Sequence, residues 1–352
     1  MEETANHEGL EAVALIEVDK SHNFMWAWSY PSVNEQLENI TIAQQNASNP
    51  EESDFVVSKF QNTWIYTMHT HLEGKSVLEE LLSFDLIVYS SLFNPEKMKS
   101  MLQLFSRLYC QFGTPLKILE AFISIFATGS YKDTNSGAPW SASAFSEEAA
   151  LLGPSGGLRE EILLRFGMES VLLWHAMVLK KRVLVLGSRT EEVLALVRLL
   201  PLFVMSQKNW DILRPLVTLQ EAAEEEDLKC AGVYCAGAVD PTIKGRKDLY
   251  DLLVDLRTSE IEVADHAAAD FKMGAFHKEV AKQLVDLGAN ESLSNQDIVA
   301  TISARTNQLF NEIRSVAPAG QRLTVEILQA KKAPVHMLRF LHNLALAEGL
   351  LT

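Results

Sequence analysis

The chain of 352 residues has few basic side chains for its length. It contains 31 Lys and Arg against 46 Asp and Glu, which gives a formal net charge of −15. A protein that binds nucleic acid neutralises backbone phosphates with a basic surface, so this balance argues against a nucleic-acid partner. It favours a soluble protein whose electrostatic field steers it toward basic patches on protein partners.

Cysteines and long apolar runs are also scarce. Cys110, Cys230 and Cys235 lie in apolar segments, which predicts buried free thiols in a reducing compartment rather than a disulfide framework. Apolar runs such as residues 183–186 are too short to span a bilayer, and the acidic N-terminal segment is the reverse of a secretory signal. We therefore expect a cytoplasmic protein without a transmembrane segment, at most peripheral to a membrane.

Some histidines, cysteines and glycines could suggest metal or phosphate sites, but they are more simply interpreted as structural residues. His69 and His71 would share one face of a strand, as zinc ligands can, but the surrounding strand is an ordinary hydrophobic one. Cys230 and Cys235 are five apart in a predicted strand, so they would face opposite sides. The glycines of residues 153–157 precede no Gly-Lys-Ser/Thr and are interpreted as part of a linker. We predict no metal, no cofactor and no catalytic residue.

An aromatic strand is the most distinctive feature present. Trp26, Trp28 and Tyr30 alternate, and Pro31 ends the run because proline cannot donate to a sheet ladder. Alternate residues of a strand point to one face, so we expect the three rings to line up on the same side. They would form either the core of a first hairpin or a surface that contacts a protein partner.

The first third of the chain reads as strands followed by helices, an α+β pattern. Residues 12–18 and 24–30 form a predicted hairpin, residues 33–45 a helix, and residues 54–60, 63–72 and 84–93 three further strands. Asn94 and Pro95 mark the start of a helix, as cap and first helical residue. Gly113 ends that helix, and another is predicted over residues 116–127.

A segment rich in Gly, Pro and Ser over residues 130–157 separates these elements from the second half of the chain, where the order of helices and strands is different. There a helix over 158–179, a continuous apolar strand over 182–187 and a helix over 190–205 alternate. Further strands are predicted over 213–219, 230–239, 248–256 and 260–264, which suggests a sheet covered on both faces. Helices are predicted over 270–287, 294–315, 323–329 and 335–350.

Several short motifs follow one another in an order that resembles the DENN-domain family, most closely its short late-endosomal members. The motifs are Trp28-Ser-Tyr30-Pro31, Phe93-Asn-Pro-Glu-Lys97, Phe166-Gly-Met-Glu169, Leu179-Lys-Lys-Arg-Val183, Leu200-Pro201, Gly232 to Asp240, Asp248-Leu-Tyr-Asp251 and Gly274 to Glu279. The resemblance covers nearly the whole chain and implies a bare module without long extensions. It also implies a bilobed fold: a longin-like lobe over 1–135, a linker over 136–157, a central α/β subdomain over 158–268 and a helical subdomain over 269–352.

The resemblance also implies a function. DENN proteins bind Rab GTPases between their lobes, and many act as guanine nucleotide exchange factors. Trp28, Tyr30 and Pro31 are then the expected partner-binding residues, with Tyr30 first, and the location is peripheral to late endosomes. The alternative is a non-catalytic adaptor held by coiled-coil scaffold subunits in a Commander-like endosomal recycling assembly, with the helical tail over 270–352 as one docking surface.

Two charged segments are interpreted as exposed to solvent. The acidic run of residues 224–227 is expected to be a solvated helix or loop, with docking of a basic partner as the weaker alternative. Lys331 and Lys332 are too few to anchor an acidic protein to lipid.

Overall fold

The structure is a computed structural model that describes residues 9–47, 54–72, 77–132, 139–146, 157–316 and 335–350. It divides the chain into two compact units, each with its own sheet. The first contains Met1–Leu151, Arg189–Glu191 and Leu216–Asp227; the second contains Leu152–Ser188, Glu192–Pro215 and Leu228–Thr352. Two short segments from the second half of the sequence therefore belong to the first unit. The fold is mixed α+β, as predicted.

The first unit is built on a five-stranded antiparallel sheet with the order β2-β1-β5-β4-β3. Its strands are β1 (Leu10–Asp19), β2 (Phe24–Tyr30), β3 (Phe55–Phe60), β4 (Thr63–His71) and β5 (Leu81–Ser90). The predicted hairpin is confirmed: Asp19 accepts hydrogen bonds from the backbone N–H groups of Ser21 and Asn23 and so stabilises the turn.

Helices cover both faces of this sheet. Helix α1 (Glu35–Ala47) lies on one face, where its Ile40 joins a core with Ala14, Ile16 and Ile87. Helices α2 (Pro95–Phe112) and α3 (Pro115–Thr128) lie on the other face. A two-stranded ladder, β6 (Ser130–Tyr131) and β7 (Trp140–Ser141), follows.

The predicted ends of α2 are confirmed. The side chain of Asn94 accepts a hydrogen bond from the backbone N–H of Lys97 at 3.1 Å, and Pro95 takes the first helical position. Gly113 ends the helix with a φ of 63°, a left-handed conformation that glycine adopts without steric cost.

The second unit contains a five-stranded sheet with the order β12-β11-β8-β10-β9. Its strands are β8 (Val183–Leu186), β9 (Leu213–Arg214), β10 (Cys235–Ala238), β11 (Leu252–Asp255) and β12 (Glu260–Val263), and only the pairing of β11 with β12 is antiparallel. Gly237 in β10 permits close packing, since a Cβ there would lie 2.2 Å from the Pro215 carbonyl oxygen.

The helices of the second half are α4 (Ser170–Val178), α5 (Thr190–Leu199), α6 (Ala222–Cys230), α7 (Ala275–Ala289), α8 (Asn295–Val316) and α9 (Val335–Ala347). The helix predicted over 158–179 is broken, because Gly167 adopts a φ of 51° between a π-helix (Arg159–Leu164) and α4. The helix predicted over 190–205 changes to a 3-10 helix at Leu200, next to Pro201, which lacks a backbone donor. The strand predicted over 213–219 shrinks to two residues.

Several apolar side chains of the C-terminal helices are buried. Phe310 and Ile313 of α8 and Leu344 of α9 are all buried within the second unit. Leu338 and Leu341 of α9 are only half-buried. The docking surface expected on the helical tail over 270–352 stays a prediction. Polar anchors also hold α9: Asn343 donates to Asp270 at 3.0 Å, and Arg314 pairs with Glu348 at 2.7 Å.

A chain of hydrogen bonds between two buried histidines fixes the start of α7. The backbone N–H of Gly274 donates to Nδ1 of His277, so His277 carries its proton on Nε2 and donates it to Nδ1 of His175 at 3.1 Å. Nε2–H of His175 then donates to the Asp270 carbonyl oxygen at 2.9 Å. Burial, together with His277, lowers the pKa of His175 to about 3. Both rings also pack on Phe340 of α9.

Some predicted segments cannot be compared. The helix predicted over 323–329, Lys331, Lys332 and most of the linker predicted over 136–157 lie outside the described residues. The division into subdomains at 135, 157 and 268 stays a prediction.

The neutral His175 makes stability depend on pH. In the unfolded chain an ordinary histidine binds a proton below a pH of about 6.5, whereas the folded protein excludes that proton until far lower pH. Lowering the pH from about 7.5 to 5.5 should therefore reduce the free energy of unfolding by about 1.4 kcal/mol through this group. Urea unfolding followed by circular dichroism measures the loss.

The matched control is His175→Gln, which keeps an amide donor for the Asp270 carbonyl but does not titrate. Its stability is expected to be lower throughout and to change less over the same pH range. Equal pH dependence in the two proteins would contradict the role assigned to His175.

Candidate functional site

The predicted contact residues Trp28, Tyr30 and Pro31 lie at the end of β2, an edge strand of the first sheet. β2 pairs with β1 through the ladder that runs from Val13 opposite Tyr30 to Val18 opposite Phe24. Pro31 follows immediately and is exposed, so the prediction that it ends the strand is confirmed.

A β-bulge in this ladder separates the aromatic side chains. Leu15 pairs with Trp28 but Ile16 pairs with Trp26, so β2 contains one extra residue at this point. Because Leu15 and Ile16 face opposite sides of β1, Trp26 and Trp28 also face opposite sides. Trp26 packs on the core beneath α1. The expectation that the three rings share one face is therefore wrong.

The side chain of Tyr30 is exposed to solvent on one side and packs against a helix on the other. Its residue surface is 42% exposed, and its ring meets Phe122 of α3 edge to face, with 6.3 Å between the ring centroids. Phe122 itself is buried. A ring held against a helix on one side and open to solvent on the other can bind a partner with little loss of side-chain freedom.

The two tryptophans are neither fully core nor fully surface. Trp26 and Trp28 are both half-buried, as edge-strand aromatics beside a helix layer are expected to be. Trp28 shares the face of Tyr30, two residues away, so these two and Pro31 form one continuous stretch.

His69 forms a pair rather than a metal site. Its Nδ1 lies 2.7 Å from Oδ1 of Asp85, the residue directly opposite on β5, and Asp85 is buried. His71 is exposed at the end of β4. Within the described residues, no group of three or more His, Cys, Asp and Glu side chains could hold a metal ion.

The cysteines differ from the sequence-based expectation. Cys235 is buried in β10, but Cys230 is exposed at the end of α6 and Cys110 is only partly buried. The prediction of three buried thiols therefore holds for Cys235 alone. Cys230 lies outside the strand in which it was predicted, because the helix extends to that residue.

Glu224 is buried, contrary to the prediction of a solvated acidic run. It is 4% exposed although it stands in the sequence Glu224-Glu-Glu-Asp227. One carboxylate oxygen accepts from the Thr218 hydroxyl and backbone N–H, each at 2.9 Å, and from the Leu219 N–H at 2.7 Å. The other accepts from Nε2 of Gln44 on α1 at 3.1 Å. Four donors therefore compensate the burial of this charge.

A signal in the sequence distinguishes Glu224 from its neighbours. Leu228, four residues later and on the same helix face, is also buried, whereas Glu226 is exposed. Glu224 connects residues 216–227 to α1, and Gln44 in turn accepts a hydrogen bond from Ser58 on β3. Its role is therefore structural, within the first unit.

None of the helices in the described ranges combines the length and the apolar character that crossing a membrane requires.

Comparison with known proteins identifies relatives along the full chain. A protein named DENN domain-containing protein 10 from Dictyostelium discoideum is 33% identical, and the alignment covers 97% of both chains. Proteins of the same name from Danio rerio and Homo sapiens are 33% and 31% identical and cover 99% of this chain. A family model described as "SPA: Stabilization of polarity axis" matches residues 159–265.

Removing the buried carboxylate should destabilise the first unit. Glu224→Ala leaves four donors without their acceptor, so we expect a loss of about 3 kcal/mol in the free energy of unfolding. Chemical denaturation measures this loss.

Glu226→Ala makes the same change at an exposed position of the same helix. It is expected to alter the free energy of unfolding by no more than about 0.5 kcal/mol. A similar effect of both substitutions would show that the bonds of Glu224 contribute little.

Proposed function

The chain belongs to the DENN-domain family, and we propose that it binds a Rab-family GTPase and promotes GDP release. It would act in vesicle trafficking, peripheral to late endosomes. The likeness to relatives over nearly the full chain supports an exchange-factor function, because many DENN proteins act on Rab GTPases. The resemblance of its motifs to those of short late-endosomal members supports the location.

Such an activity needs no covalent chemistry from this chain. An exchange factor accelerates GDP release when it binds the nucleotide-free GTPase more tightly than the GDP-bound form. Each preference of about 1.4 kcal/mol corresponds to a factor of about ten in the ratio of the two affinities. The functional residues are therefore those that contact the GTPase, and surface geometry identifies them better than catalytic motifs do.

The position of Tyr30 is the main observation that supports the proposed contact surface. It is a large aromatic side chain, 42% exposed, at the end of an edge strand, and Phe122 supports its ring. Interface residues that contribute most to affinity are enriched in such aromatics. Trp28 and Pro31 extend the contact on either side of it.

The charge of the chain affects how fast it associates with a partner that carries basic surface patches. A net charge of −15 attracts basic surface patches and raises the association rate at low ionic strength. Association should therefore slow as salt is added, with a smaller change in dissociation.

The direct test is release of a fluorescent GDP analogue from a panel of Rab GTPases. We expect the full chain to accelerate release from at least one Rab, and Tyr30→Ala to reduce that acceleration by about tenfold or more, because an anchoring ring is lost. Leu116→Ala is the matched control, since Leu116 is 70% exposed on the same unit and lies outside the proposed contact.

Circular dichroism must show that both variants stay folded. If no Rab responds, and the protein instead binds a coiled-coil scaffold stably, the adaptor function replaces the exchange function. If Tyr30→Ala and Leu116→Ala behave alike in an active protein, the contact lies elsewhere.

A further inference from the structure

The two edges of the first sheet differ in burial. At the β3 edge, every residue from Val56 to Phe60 is buried. At the β2 edge no residue is buried, and Phe24 and Met25 are 56% and 55% exposed. The fold thus protects one edge of the sheet and leaves large apolar side chains exposed at the other.

The β2 edge has one of the usual protections of an exposed strand, the bulge between Trp26 and Trp28, but it lacks the others. Natural edge strands are commonly blocked by charged side chains, by proline within the strand or by very short length. The seven residues of β2, Phe24 to Tyr30, include no charged residue and no proline. In the part of the chain that the structure describes, β2 pairs with β1 alone, so its outer backbone groups face no further strand.

We propose that this edge binds an extended segment of a partner protein, which adds to the sheet as a sixth strand beside β2. An exposed row of backbone donors and acceptors is complemented by another extended backbone, and neighbouring side-chain positions supply specificity. The proposal goes beyond nucleotide exchange. It concerns how a partner segment binds the sheet, and it does not require that the chain promote GDP release from a GTPase.

The bulge determines which side chains of β2 the added segment would meet on each face of the sheet. Phe24 and Trp26 face the α1 side of the sheet, whereas Met25, Trp28 and Tyr30 face the other. Both faces of β2 are thus apolar, so a segment beside it gains cross-strand contacts from apolar or β-branched residues on both of its faces. The length of β2 limits the segment to about seven residues.

Charge favours a different protein over a second copy as the occupant. Two copies with a net charge of −15 each repel one another. The segment that follows Tyr30 along the chain, from Pro31 to Ala47, contains Glu35 and Glu38 and no Lys, Arg or His, so it is acidic. A segment antiparallel to β2 would have its N-terminal end at the Tyr30 end of β2, and basic residues are therefore expected at that end.

Selection from a library of displayed peptides of about ten residues on the full-length protein tests this inference. The expected products are sequences rich in β-branched and aromatic residues with Lys or Arg at the N-terminal end. Fluorescence anisotropy of a selected peptide then gives its Kd. Methylating alternate backbone nitrogens on one edge of the peptide should weaken binding about tenfold or more, whereas methylation on the other edge should not.

Substitutions in the protein locate the peptide. Met25→Lys places a cation on β2 and should weaken binding about tenfold, while Leu116→Lys, the same change at another exposed apolar position, should not. A failure to enrich peptides, insensitivity to backbone methylation, or equal binding to both variants would overturn the proposal. Exchange assays on the same variants are scored separately, so loss of one property does not imply loss of the other.

Discussion

The bulge between β1 and β2 is the constraint on which the proposed contact surface depends. One extra residue in β2 places Trp26 against the core beneath α1 and leaves Trp28 and Tyr30 on the side of α3. Without it, all three rings would compete for one face. The bulge therefore both anchors the edge strand through Trp26 and positions Tyr30 on Phe122, half open to solvent.

Buried polar groups stabilise each unit in a comparable way. In the first unit, Glu224 accepts four hydrogen bonds and fixes residues 216–227 against α1. In the second, the directed chain from Gly274 through His277 and His175 to Asp270 fixes α7, and Phe340 of α9 packs on both rings. Both arrangements are fully paired, which is the condition under which burial of polar groups is tolerated.

The hydrogen bonds of these buried polar groups give them structural roles. Glu224, His69 and His175 are residue types that often act in catalysis, yet each is engaged in bonds inside its own unit. Phe24, Met25 and Tyr30, by contrast, are exposed on the β2 edge of the first sheet, where we propose that a partner binds. A protein that acts by binding another protein is expected to show this distribution, because affinity depends on buried aromatic anchors.

Local patterns in the sequence determined those helix and strand ends that depend only on neighbouring residues. Asn94, Pro95 and Gly113 fix α2 because capping and left-handed geometry act within one turn, and Pro31 ends β2 because it lacks a donor. The face of Trp26, the burial of Glu224 and the burial of Phe310 depend on residues far away in the chain. Only the tertiary structure decided these, since register and burial are set by pairing with distant strands and helices.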